Sequence, residues 1–221
     1  MKYQWLGQNG LVLYTNSKTI LIDPYLTDVC STKRNFPTPK EIYDIEPDII
    51  ICTHDHLDHT EKGSLEPFLK RDNKCIEVIA PYNSYSLLRS WGYLQHNYLL
   101  FAPHTVWTSG DVCIKGVRAF HSDLTAMGFI IEAEGKKVYV TGDTLYNTDI
   151  LEDLPSDLYA MFVCINGKGN NMNAVDAAEF ASKVNPVKAF PVHWGLFDSL
   201  TPDIFKYEKA VYPEFFKVKE L

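Results

Sequence analysis

Thr53-His54-Asp55-His56-Leu57-Asp58-His59 follows directly on Asp48-Ile49-Ile50-Ile51-Cys52, and the reading of this join decides the fold. Residues 48–52 are almost wholly apolar, as a strand covered on both faces requires. Three of the chain's seven histidines then fall within six residues, together with Asp55 and Asp58. In an extended segment His54 and His56 project to the same side, because side chains alternate with a period of two. They can therefore grip one metal ion. Asp58 and His59, on the turn that follows, can reach a second site beside it. Imidazole and carboxylate suit Zn²⁺, Mn²⁺ or Fe²⁺, and the lack of thiolate ligands disfavours a closed structural zinc site. The bland alternative is a polar loop whose histidines cap a helix or face solvent.

Further ligands stand at the ends of other apolar runs. His121 closes residues 112–120, Asp143 sits in Thr141-Gly142-Asp143-Thr144 behind 137–141, and His193 follows 188–192. Ligand sites gather at the C-terminal ends of strands in α/β sheets, so this shared context points to one centre. The first third of the chain reads as an antiparallel meander. Its strands are 2–6, 11–14 and 19–22, with Gly7-Gln8-Asn9-Gly10 and Asn16-Ser17-Lys18 as turns. Strands are also expected over 76–80, 128–132 and 160–165. Asn173 can cap a helix in which Ala177, Phe180, Ala181 and Val184 share a face, and Pro186 lies beyond its end. Thr201-Pro202-Asp203 reads as a second helix start. Strands and helices alternate without a linker, a biased tract or a repeat. This predicts one α/β domain over residues 1–221.

The composition is that of an ordinary globular chain, with 46% hydrophobic and 22% charged residues among 221. Twenty-one basic against twenty-eight acidic side chains leave a formal charge of −7, which argues against a nucleic-acid surface. A small anionic substrate at a local positive centre is still permitted. Cys30, Cys52, Cys75, Cys113 and Cys164 are scattered and read as small buried hydrophobes in a reducing compartment. Met1-Lys2-Tyr3-Gln4-Trp5-Leu6-Gly7 lacks an apolar signal core, and no run is long enough to cross a bilayer. A cytoplasmic location without a membrane partner is expected, and a homo-oligomer would be unsurprising.

The succession Asp23-Pro24, the 53–59 motif, His121, Thr141-Gly142-Asp143-Thr144 and Pro191-Val192-His193-Trp194-Gly195 resembles the metallo-β-lactamase superfamily. It is most similar to the compact lactonase-like branch that includes L-ascorbate-6-phosphate lactonase and related metal-dependent hydrolases. The resemblance implies a four-layer αββα sandwich with the site at one edge of the paired sheets. It implies two divalent ions, zinc or manganese, with iron also compatible. One would be held by His54, His56 and His121, the other by Asp58, His59 and His193. Asp143 would bridge them, and Asp23 would orient a ligand histidine. His104 is the rival for the place given to His121.

Two divalent ions bring four positive charges and Asp58 with Asp143 removes two, which leaves a positive well in an acidic protein. Such a site supplies metal-activated hydroxide near neutral pH, with Asp58 as the group that orients it and carries a proton to the leaving oxygen. The implied reaction is the opening of a lactone or similar ester of a small anionic molecule, a phosphorylated one included. A phosphodiesterase of the same superfamily is the alternative, and a non-catalytic metal-binding or sensing protein is a third reading. Lys33 and Arg34 stand in the long loop after Asp23-Pro24, where they can meet a phosphate or carboxylate. Asn166 and Lys168, in the Gly/Asn-rich stretch 166–171, can line an anion pocket or simply form a turn. Trp194, beside His193, can wall the pocket or belong to the core.

Overall fold

The computed structural model describes residues 1–28 and 34–221. Two mixed sheets carry the fold. The first contains β1 (Lys2–Gly7), β2 (Gly10–Tyr14), β3 (Thr19–Ile22), β4 (Ile49–Ile51), β5 (Glu77–Ala80), β6 (Asn97–Leu100) and a last strand, Val218–Glu220, in the order last-β1-β2-β3-β4-β5-β6. The meander is antiparallel as far as β3, and from β3 to β6 the pairing is parallel. The second sheet contains β7 (Val106–Ser109), β8 (Val112–Arg118), β9 (Met127–Ala133), β10 (Lys136–Val140), β11 (Ala160–Cys164) and β12 (Lys188–Val192), in the order β12-β11-β10-β9-β8-β7. Here β7 to β10 are antiparallel, and β10, β11 and β12 are parallel.

The period-two alternation of side chains explains why these sheets stack. In the first sheet Leu11, Leu13, Ile20, Ile22, Ile49 and Ile51 point to the same side. They meet Phe129, Ile131, Val138, Val140 and Phe162 of the second sheet in one buried cluster. The residues between them, Val12, Leu21 and Ile50, point the other way and pack under the helices α1 (Lys62–Leu69) and α2 (Tyr82–Ser90). Tyr139, Met161 and Val163 do the same on the far side, under α3 (Ala174–Val184). Three apolar layers between four layers of backbone give the αββα sandwich that was expected. All three residues of β4 are buried, as a parallel strand covered on both faces must be. Among the described residues no helix is long and apolar enough to cross a membrane.

The Asn173 cap is as expected: its side chain accepts from the amides of Val175 and Asp176, and Asn185 ends α3 in the left-handed region. The start at Thr201 does not become a helix, since only a 3₁₀ turn, Pro202–Ile204, forms there with no buried residue. With nothing apolar to bury, a short helix has no tertiary support. Conversely α1 and α2 lack a sequence signature. Helix α1 contains Gly63 and Pro67, both poor helix formers. It is held by Glu61, which accepts from the Gly63 and Ser64 amides, and by burial of Leu65, Phe68 and Leu69.

Candidate metal centre

Every candidate ligand leaves the end of a strand. The 53–59 segment continues β4, Asp23 follows β3, Asp143 follows β10 and His193 follows β12. His121 comes three residues after β8. Gln8 and Asn9 form the turn between β1 and β2. The backbone is bent hard to do this: Gln8, Asp23 and His193 have φ of 49°, 42° and 63°, a left-handed region that non-glycine residues enter at a cost.

Three groups of possible ligands result, each with donor atoms within 4.8 Å of one another. They are His54 with His56 and His121, Asp58 with His59 and His193, and Asp143 with His54 and His59. The first two are the trios expected for two ions, and Asp143 reaches across from one to the other. The His121 Nε2 lies 3.0 Å from the His56 Nδ1. The His193 Nε2 lies 3.3 Å from Asp58 Oδ2 and 3.4 Å from Asp143 Oδ2. His59 Nε2 is 3.5 Å from Asp143 Oδ1.

Partners behind the cluster set the histidine tautomers. The His59 Nδ1 donates to Asp23 Oδ2 at 2.7 Å, and Thr53 donates to the same carboxylate through its amide at 2.7 Å and its hydroxyl at 2.5 Å. The His121 Nδ1 donates to the Asn170 carbonyl at 3.1 Å. Each such bond leaves the Nε2 lone pair facing inward, the arrangement metal-bound histidines use.

Charge is balanced within the cluster. Asp143 is buried, which opposes its charge, yet His193 and His59 hold its carboxyl well below the usual range. Asp58 is likewise lowered against its burial by His59 and His193. Burial disfavours the His193 imidazolium, but Asp143 and Asp58 outweigh it and push the ring up to about 10. His54 lies the other way: burial and the neighbouring His59 hold it well below its ordinary value, so it is neutral.

The buried Nε2 atoms of His54, His59 and His193 have no hydrogen-bond partner. A buried polar atom left unsatisfied costs about 1–3 kcal/mol; here His59 and His193 face both Asp58 and Asp143, and His54 is grouped with Asp143. Divalent cations held among these groups would satisfy them. Nitrogen and oxygen donors without thiolate fit zinc, manganese or iron.

The residues expected to meet substrate fare unevenly. Lys33 lies outside the described residues. Arg34 is buried and donates to the carbonyls of Tyr25 at 3.0 Å and Phe36 at 3.3 Å, so it anchors the loop. Trp194 is a packing residue: its ring lies 4.7 Å from that of Trp5, and its indole N–H is used on the Pro191 carbonyl. Asn166 is half-buried and bridges to Asn173, while Lys168 is exposed. His104 is not at the centre: its Nδ1 lies 3.6 Å from Asp153 Oδ1.

Three amides were not foreseen. Asn9 and Asn171 donate to the two oxygens of Asp143 at 2.5 and 2.6 Å. The Gln8 Nε2 donates to Asp58 Oδ2 at 3.2 Å and lies 3.3 Å from His193 Nδ1. The available signal was a pair of amides in a turn between two buried strands, which ordinary turn chemistry also explains.

A family model described as a beta-lactamase superfamily domain matches residues 18–194. The chain belongs to the metallo-β-lactamase superfamily. The superfamily's curated relatives of this chain include a UPF0173 metal-dependent hydrolase of Staphylococcus saprophyticus, 28% identical over 96% of this chain and 93% of that protein. A UPF0173 metal-dependent hydrolase of Ligilactobacillus salivarius is 30% identical, again over 96% of this chain and 93% of that protein. Among solved structures, a possible metal-dependent hydrolase from Veillonella parvula superposes with a TM-score of 0.80. That match covers 100% of this chain and 99% of the other at 16% identity, and it establishes the shared fold alone.

Proposed function

We propose that this superfamily member is a metal-dependent hydrolase with a dinuclear His/Asp centre that opens a lactone or similar small ester. The observation that carries the reading is the convergence of the buried, unpartnered Nε2 atoms of His59 and His193 on Asp58 and Asp143, with His54 grouped beside Asp143. His54, His56 and His121 would hold one divalent ion and Asp58, His59 and His193 the other, with Asp143 between them. The ions supply Lewis acidity and lower the pKa of water into the neutral range.

The chain's own contribution is positioning and proton transfer. Asp23 locks His59 through Nδ1, and Asn9 and Asn171 lock Asp143. Asp58 is the ligand carboxylate with substantial access, its side chain being 27% exposed. Held ionised, it can accept a proton from the attacking water and pass it to the leaving alkoxide. The new bond joins the water oxygen to the acyl carbon, the ring C–O bond breaks, and the resulting acid releases one proton at neutral pH.

The test is proton release from simple lactones, against cleavage of a chromogenic phosphodiester, by protein loaded separately with Mn²⁺ and Zn²⁺. Lactone turnover should vanish in Asp143→Ala. Asp58→Asn, assayed at a metal concentration that keeps the centre loaded, should lose about 10²–10⁴-fold in kcat. Full activity in Asp58→Asn would remove its proton role, and turnover of the phosphodiester alone would replace the lactonase reading.

A further inference from the structure

His121 forms one wall of a hollow of about 360 Å³ whose other walls are Ala119, Phe120, Leu124, Leu145 and Asn170. A second hollow of similar size shares Ala119, Phe120 and Leu124 with it and runs on to Tyr82 and Phe101. The two hollows share these walls and form an apolar track, and the first of them touches a candidate metal ligand. Its surface is apolar and open to water: Leu124 is 96% exposed, Tyr82 62% and Leu145 42%. Leu57, between His56 and Asp58, adds another exposed leucine beside the centre. Side chains of this kind grouped at the mouth of a polar site mark a place where a ligand's apolar part is buried.

The charges point the same way. Among the described residues Arg118 is the one Lys or Arg lining either hollow. It is already held by Asp153, with Nε and Nη2 each at 2.9 Å from the carboxylate. A phosphate or carboxylate on the substrate would meet no free cation along this track.

We propose that the track seats an alkyl or aryl group of the substrate, so that the ester opened at the centre is a neutral, apolar-substituted lactone or ester and not a sugar phosphate. This rests on the hydrolase reading above and narrows it. The occupant follows from adjacency: His121, a candidate metal ligand, lines the same hollow as Phe120, Leu124 and Leu145.

The experiment pairs catalysis with binding on the metal-loaded protein. Hydrolysis is measured for γ-lactones whose side chain grows from methyl to octyl. Calorimetry follows the unreactive cyclopentanones bearing the same chains. The wild type should gain about two- to fourfold in kcat/KM and in affinity per added methylene, up to the ratio that about 0.8 kcal/mol per buried CH₂ corresponds to. In Leu124→Asp and Leu145→Asp, both exposed positions, the dependence on chain length should flatten. Hydrolysis that ignores chain length, or variants that slow every member equally, would overturn the proposal and leave the hydrolase standing. Chain-length-dependent binding that is lost in Leu124→Asp, with no hydrolysis of any lactone, would support the track and overturn the hydrolase reading. No length dependence in either measurement would overturn the track.

Discussion

Gln8 holds two of the centre's groups from a backbone position that only a strong tertiary reason explains. Its φ of 49° is strained, its carbonyl accepts from the His193 amide at 2.9 Å, and its side chain reaches Asp58 and His193. Partners of this kind typically cost 10–100-fold in metal affinity when removed. Gln8→Ala and Asn9→Ala are each expected to weaken binding of Zn²⁺ or Mn²⁺ by about that factor, with an unchanged far-ultraviolet spectrum. Titration against a competing chelator reads this directly, and unaltered affinity would make the amides spectators. The histidines and aspartates were legible because their chemistry is rare and their spacing is informative. Asp23 was legible only through resemblance. Gln8, Asn9 and Asn171 were not, because an amide in a turn reads the same whether or not a carboxylate lies against it. Arg34 gives Nε and Nη1 to backbone carbonyls and Trp194 packs on Trp5, contacts that residue type alone does not reveal.

At the scale of elements, a 3₁₀ turn, Thr148–Asp153, pins the end of β8 just before His121. Asp153 accepts from the Arg118 amide at 3.1 Å as well as from its guanidinium. Burial works against the Asp153 charge, but the Arg118 bonds hold its carboxyl below the ordinary value. A folded value below the unfolded one, near 3.9, means that the stabilisation is present above that pH. It is lost as pH falls through the folded value. Asp153→Asn is therefore expected to cost about 1 kcal/mol at pH 7, the worth of charge-assisted bonds discounted for solvent screening. The difference from wild type should close in strongly acid solution, once the pH has fallen through the folded value. Urea unfolding at the two pH values checks this, and an equal loss at both would assign the effect to shape alone. Element boundaries in the buried strands followed from periodicity. The turn at Asp153, the helices α1 and α2, and the short strands β6 and β7 did not. Their sequences carry weak local preference, and packing supplies the rest.

The whole molecule depends on the layer between the sheets. Phe162 is 1% exposed, stacked 4.6 Å from Phe190 and edge-on to Tyr3 at 5.5 Å. Phe162→Ala should destabilise by about 3–5 kcal/mol through lost burial and the cavity left behind. The denaturant midpoint should fall with the slope retained. A loss below about 1 kcal/mol would mean that the sheets are not joined through this cluster.

From the sequence alone came what acts over a few residues: the alternation that builds two sheets, the Asn173 cap, and the histidine spacing that declares a metal site. Tertiary structure decided what joins distant residues. Gln8 meets Asp58 across 50 positions and His193 across 185, and Asn9 meets Asp143 across 134. It also placed His121, not His104, beside His56. Local preference and periodicity decay within a turn or two of chain. Contacts across a hundred residues follow only from how two twisted sheets bury their inner faces.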